Sequence, residues 1–97
     1  MPRGSDMKVQ DPVPGGVAQS VAGRDKGRLY LIVGQEGEKL LLADGKYKPA
    51  SDPKPKNRKH VRLLPVFYPE IVDRIASGKD ENSEIRAALI RAGERIK

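Results

Sequence analysis

Apolar residues recur in this chain with two different periods, and the change of period divides it. Val17 and Val21, interrupted by Gln19 and Ser20, predict a first strand of about five residues. Leu29 to Val33 is a continuous apolar run containing Tyr, Ile and Val, the strongest strand signal present. Gly34-Gln35-Glu36-Gly37-Glu38 has the length and chemistry of a hairpin connection, and Leu40 to Ala43 predicts a third strand closed by the turn pair Asp44-Gly45. Tyr47 is expected to begin a short fourth strand, which the Pro-rich segment from Pro49 to Pro55 then interrupts. Val61 to Leu64, with Pro65 after it, completes the set.

Beyond Pro65 the spacing becomes helical. Ile71, Val72, Ile75 and Ala76 share one face, Pro69 suits a first turn, and Gly78 is placed to stop the helix. A second helix is expected from Asn82 or Ser83, either able to cap it, to about Ile96, with Ile85, Ala88, Leu89, Ala92 and Ile96 as its apolar stripe. Such a stripe either packs on the strands or docks a partner. Short strands followed by helices favour a mainly β fold, a small barrel with a helical C-terminal appendage, over an alternating α/β sheet.

Length allows one main core, assigned to residues 7–66, with residues 67–97 as the appendage. Asp11 to Gly16, with two Pro and two Gly, reads as an entry loop, and Met1 to Asp6 reads as an expression remnant ahead of a natural start at Met7. With one Phe, three Tyr and no Trp, the core has to be aliphatic. The absence of cysteine removes disulfides, thiol nucleophiles and thiolate ligands, and a single histidine, His60, removes His clusters, so neither metal nor cofactor is expected. No apolar stretch reaches membrane-spanning length and no signal-peptide core is visible, which predicts a cytoplasmic protein without membrane contact.

Charge sharpens this picture through its position. The net charge is +6, and the segment from Lys46 to Arg62 holds seven basic residues, Lys46, Lys48, Lys54, Lys56, Arg58, Lys59 and Arg62, against the single acid Asp52. That segment therefore carries the whole excess. A run of this kind is by composition a solvated loop or a surface for polyanions; its position between two expected strands shifts the balance toward the second and leaves both readings open.

One further motif stands beside it. Gly23-Arg24-Asp25-Lys26-Gly27-Arg28 is a Gly-bounded charged loop joining the first two strands, in which the glycines permit turns or close backbone approach, Arg24, Lys26 and Arg28 offer positive charge, and Asp25 can fix the turn. With the strand after it, this loop resembles the KOW motif of ribosomal and transcription proteins. Leu42-Ala43-Asp44-Gly45 and the linker ending Asn57-Arg58-Lys59-His60-Val61 extend the likeness to short bacterial KOW-domain proteins, related to KOW-bearing large-subunit ribosomal proteins of eukaryotes and archaea. The resemblance covers about half the chain strongly and the tail only through Ile85-Arg86-Ala87-Ala88-Leu89.

It implies an SH3-like barrel of about five strands, followed by one or two helices, and contact with structured RNA, ribosomal RNA being the expected target. Ribosomal or transcription proteins are the alternative partners, since KOW modules also bind proteins. The expected RNA-binding residues are Arg24, Lys26, Arg28, Lys46, Lys48, Lys54, Lys56, Arg58, Lys59, His60 and Arg62, while Gly23, Asp25, Gly27, Asp44 and Gly45 are expected to shape the loops. His60 is either a hydrogen-bonding or stacking group beside Arg58 and Lys59 or a half-buried residue at a strand start. Tyr30 is expected in the core, leaving few exposed aromatics for stacking, so phosphate and shape recognition is expected to outweigh base readout. No enzymatic template fits: the loop lacks a P-loop ending, and no nucleophile elbow or acidic metal cluster occurs.

Overall fold

In the computed structural model residues 12–95 are described. The expected remnant Met1 to Asp6, the start at Met7, the first residue of the entry loop and the stripe position Ile96 lie outside them. Five strands, β1 (Gly16–Ser20), β2 (Leu29–Glu36), β3 (Lys39–Ala43), β4 (Lys54–Asn57) and β5 (Val61–Phe67), precede helices α1 (Pro69–Ala76) and α2 (Asn82–Arg95). The strands form one antiparallel sheet in the order β4-β3-β2-β1-β5, so the fold is mainly β with C-terminal helices.

The sheet cannot be flat. Its edge strands β4 and β5 would stand four spacings, roughly 19 Å, apart in a flat sheet, yet only the three-residue 3-10 turn Arg58–His60 joins them. A turn of that kind advances about 2 Å per residue, so the sheet coils until its edges approach. No ladder joins β4 to β5, and the coil stays open there.

Coiling covers one face of the sheet and the helices cover the other, which explains the unbroken apolar run in β2. Tyr30 and Ile32 of β2 join Ala18, Leu40 and Leu42 inside the coil, with Val61 and Leu63 against them. Their neighbours Val17, Leu31, Ala43, Leu64 and Val66 point outward and meet Ile71 of α1 and Ile85, Ala88, Leu89 and Ala92 of α2. The register agrees with this alternation, pairing Val17 with Leu31 and Leu64, and Ala18 with Tyr30 and Leu63. The helical stripe therefore packs on the sheet, and the helices share a core with the strands.

Two expectations about the strands change. The fourth strand is Lys54–Asn57, containing Pro55, and Tyr47 lies in the bend before it. Pro55 is tolerated because β4 is an edge strand, with only β3 beside it. The last strand likewise runs on through Pro65 to Phe67, because β5 pairs only with β1 and a register shift at Gly16/Val17 opens the ladder opposite Pro65.

The helices follow their signals more closely. Pro69 opens α1, and Gly78, at φ 93°, closes it while Lys79 N–H donates to the Arg74 carbonyl at 3.1 Å. At the start of α2 Asn82 does not act as the expected cap. Its Oδ1 accepts from Ala50 N–H at 3.0 Å, and Asp80 Oδ1 accepts from Asn82 N–H at 3.0 Å. The Arg74 guanidinium donates to buried Glu81 at 2.7 Å and ties the two helices together.

Candidate nucleic-acid interface

The loop between β1 and β2 is shaped from within. Gly23 and Gly27 both hold positive φ, 86° and 92°, and Gly27 N–H donates to the Ser20 carbonyl at 2.8 Å while Ser20 N–H donates to the Arg28 carbonyl at 2.9 Å. A Cβ on Gly27 would meet nothing within 4 Å, so conformation alone calls for glycine there.

Asp25 occupies the centre of this loop and does more than fix a turn. Its Oδ1 accepts from the Ser20 hydroxyl at 2.8 Å and the Lys56 ammonium at 3.1 Å; its Oδ2 accepts from the Tyr30 hydroxyl at 2.8 Å and the Lys54 ammonium at 2.9 Å. One carboxylate thus joins the loop to β1, β2 and β4. Burial by itself would raise the Asp25 pKa, but the hydrogen bonds from Lys54, Tyr30, Ser20 and Lys56 outweigh it and hold the carboxyl far below the usual range. Burial raises the pKa of the Tyr30 phenol, and the bond to Asp25 and its negative charge raise it further.

This cluster gives two of the lysines a partner inside the fold. The side chain of Lys56 is only 11% exposed and donates both to Asp25 and to the Ala22 carbonyl at 3.1 Å, so its charge is neutralised inside the fold. Lys54, 34% exposed, pairs with the same carboxylate but still reaches the surface.

A second loop, from Asp44 to Lys48, faces the first. Asp44 Oδ1 accepts from the backbone N–H groups of Lys46 at 2.9 Å and Lys48 at 2.8 Å, closing the bend and turning Tyr47 outward, 64% exposed. Gly45 holds φ 79°, and a Cβ there would overlap the Asn82 carbonyl oxygen, so α2 lies directly against the bend. Arg86 of α2 donates to the Gly45 carbonyl, and the Asn82 bond to Ala50 holds the far side.

Between the two loops runs a cleft of about 220 Å³ lined by Arg24, Asp25, Arg28, Tyr30, Asp44, Tyr47, Lys48 and Lys54. It adjoins a second cleft of about 400 Å³, which shares Arg28, Asp44 and Tyr47 and adds Lys46, Arg86, Leu89 and Ile90. The Arg28 guanidinium lies 5.2 Å from the centroid of the Tyr47 ring and the Lys46 ammonium 5.0 Å.

The expected basic surface is therefore divided. Arg24, Arg28, Lys46, Lys48 and Lys54 gather around Tyr47. Lys26 is exposed on the loop but lines neither cleft. Arg58, Lys59 and His60 form the 3-10 turn, where Asn57 Oδ1 accepts from Lys59 N–H at 3.0 Å and the His60 carbonyl accepts from Val21 N–H at 2.9 Å. His60 is exposed there, not half-buried. Arg62 on β5 donates to Gln19 Oε1 at 2.7 Å and lines neither cleft.

Sequence reading missed Tyr47 as a site residue and the whole contribution of Arg86, Leu89 and Ile90. Tyr47 was detectable as an aromatic flanked by two lysines in a turn; the α2 residues reach the site only through tertiary packing. Among the described residues no group of three or more His, Cys, Asp or Glu could hold a metal ion, and no helix is long and apolar enough to cross a membrane. No protein-family model and no curated protein matches the chain.

Proposed function

We propose that this protein is an RNA-binding module that holds structured RNA by phosphate and shape contacts, working with the ribosome or translation in the cytoplasm. The observation that carries this reading is the convergence of Arg24, Arg28, Lys46, Lys48 and Lys54 on one pair of adjoining clefts from three separate segments. Only Lys54 among them is held in an ion pair with Asp25, leaving the others to displace counterions from a polyanion. The coiled five-stranded sheet with a 3-10 turn between its edge strands suits an SH3-like barrel of the KOW type, and the Gly-bounded loop suits its RNA-facing edge. A partner docked on the apolar stripe of α2 finds less support, because Ile85, Ala88 and Ala92 are fully buried against the sheet.

The test is titration of a folded RNA hairpin by fluorescence anisotropy across a salt series. Affinity is expected to fall steeply with salt, and Arg24→Glu with Arg28→Glu should weaken binding and flatten the salt slope by about one for each phosphate no longer neutralised. The variants should unfold at the wild-type denaturant midpoint. Affinity unchanged by reversal at Arg24, Arg28, Lys46 and Lys48 together would end this reading.

A further inference from the structure

The Tyr47 ring stands 64% exposed at the junction of two clefts, on a bend that is held from three sides. Asp44 ties the bend to itself through the Lys46 and Lys48 amides, Arg86 holds the Gly45 carbonyl, and Asn82 holds Ala50. An exposed tyrosine needs no such support for stability. Across the larger cleft Leu89 and Ile90 of α2 supply an apolar wall, and Ile90 is 65% exposed although four other apolar residues of that helix are buried. An aromatic plane and an aliphatic wall thus border one cleft of about 400 Å³, whose rim carries Arg28, Lys46 and Arg86 against the single carboxylate of Asp44.

From this arrangement we infer that the cleft receives one unpaired nucleobase of the bound RNA, stacked on Tyr47, with Arg28 and Lys46 turning from the ring to the phosphates on either side. This deepens the reading of the protein as an RNA-binding module and rests on it. Charge complementarity selects the occupant. A nucleotide presents a flat apolar ring and an anionic backbone within one residue, matching a ring platform with cations at its edge. The exchange is favourable because a cation over an exposed ring contributes little, whereas a stacked base contributes more and leaves the cations a phosphate each. Every base has such a face, so the site selects an unpaired nucleotide and not a sequence.

The experiment compares a fully paired RNA hairpin with the same hairpin carrying one bulged nucleotide in its stem, at fixed salt. Wild type is expected to bind the bulged RNA about 10-fold more tightly, the scale of one stacked base. Tyr47→Ala should remove that preference, weakening the bulged RNA about 10-fold more than the paired hairpin, and Tyr47→Phe should retain it. Tyr47→Trp supplies a direct signal, because this chain has no Trp of its own: its fluorescence should be quenched by the bulged RNA and little changed by the paired one. Equal binding of both RNAs by wild type, with Tyr47→Ala affecting neither, points to a cleft for another kind of molecule and overturns the inference while leaving the RNA-binding reading intact. Equal loss of both RNAs in Tyr47→Ala overturns it as well, since the ring would then serve general binding. Failure of wild type to bind either RNA overturns both readings.

Discussion

Replacing Asp25 by alanine should damage this protein far more than the loss of an ordinary loop carboxylate. Four donors meet on that side chain, which is 10% exposed, and they do not lose equally. The Ser20 hydroxyl can turn its one proton to the Ala22 carbonyl, 3.0 Å away, and Lys54 is exposed enough to turn to water. The Tyr30 hydroxyl loses the acceptor at 2.8 Å to which it is bonded, a cost of about 1–3 kcal/mol for a stranded buried group. Lys56 loses its counter-charge in a site only 11% exposed, where breaking a buried pair costs about 3–5 kcal/mol. Its remaining bond to Ala22 and its flexible stem reduce that figure, so the two effects together come to about 4 kcal/mol.

A domain of this size is stable by roughly 5–15 kcal/mol, so the Asp25→Ala protein should fold but melt roughly 15–30 °C lower. Urea unfolding followed by far-ultraviolet circular dichroism measures the loss directly. Removing the stranded charge as well, with Lys56→Met, should restore part of it. The double variant is expected to be more stable by at least about 1 kcal/mol than the sum of the single changes would make it. A loss below about 1 kcal/mol for Asp25→Ala at unchanged m-value, or strict additivity with Lys56→Met, would refute the account of the cluster as the clamp of loop, β1, β2 and β4.

Three further outcomes follow from the same geometry. Because the folded Asp25 pKa is depressed, its contribution is complete above the unfolded value near 4 and is lost as pH falls below it, by about 1.4 kcal/mol per pH unit; the gap between wild type and Asp25→Ala, measured by urea unfolding, should be flat from about pH 6 to 9 and narrow below about pH 4. Gly45→Ala combines a left-handed φ with overlap against the Asn82 carbonyl oxygen, so it should cost about 1–3 kcal/mol in thermal unfolding and weaken binding of the bulged RNA more than that of the paired one. Ile85→Ala, at a fully buried position between α2 and the sheet, should cost about 2–5 kcal/mol by urea unfolding; a cost under about 0.5 kcal/mol would mean that the helices are not part of the core.

The positions of the strands and helices were largely legible because their signals are local. The Leu29 to Val33 run, the Gly78 stop and the stripe from Ile85 to Ala92 each state their element within a few residues. What failed was any inference about a proline's partners. Pro55 and Pro65 read as strand breakers until the sheet order shows that each lies on an edge, where one side of the backbone needs no neighbour. The candidate site was half legible for a similar reason. Lys54 and Lys56 look identical to Lys46 and Lys48 along the chain, yet β4 carries the first pair past Asp25 while the Asp44 bend presents the second pair to the clefts. Charge spacing along a chain cannot distinguish a cation paired at long range from one left for a ligand.

That difference changes what the basic segment is. Its charge does not act as one continuous strip: part of it holds the first loop in shape, and part is displayed by a bend that α2 supports through Arg86 and Asn82. The loop between β1 and β2 and the bend before β4 are thereby set opposite each other by independent devices, one centred on Asp25 and one on α2. Weakening either should reduce RNA affinity by misplacing cations that are still present. A variant at Asn82, such as Asn82→Ala, removes no charge, but it frees the Ala50 amide and with it the far side of the bend. It should therefore lower affinity by a few-fold at low salt while the salt slope, which counts the phosphates neutralised, remains near that of wild type. Arg28→Glu should change both. A matching loss of slope in Asn82→Ala would mean that the freed bend takes its cations off their phosphates altogether, whereas unchanged affinity would mean that the support from α2 is incidental.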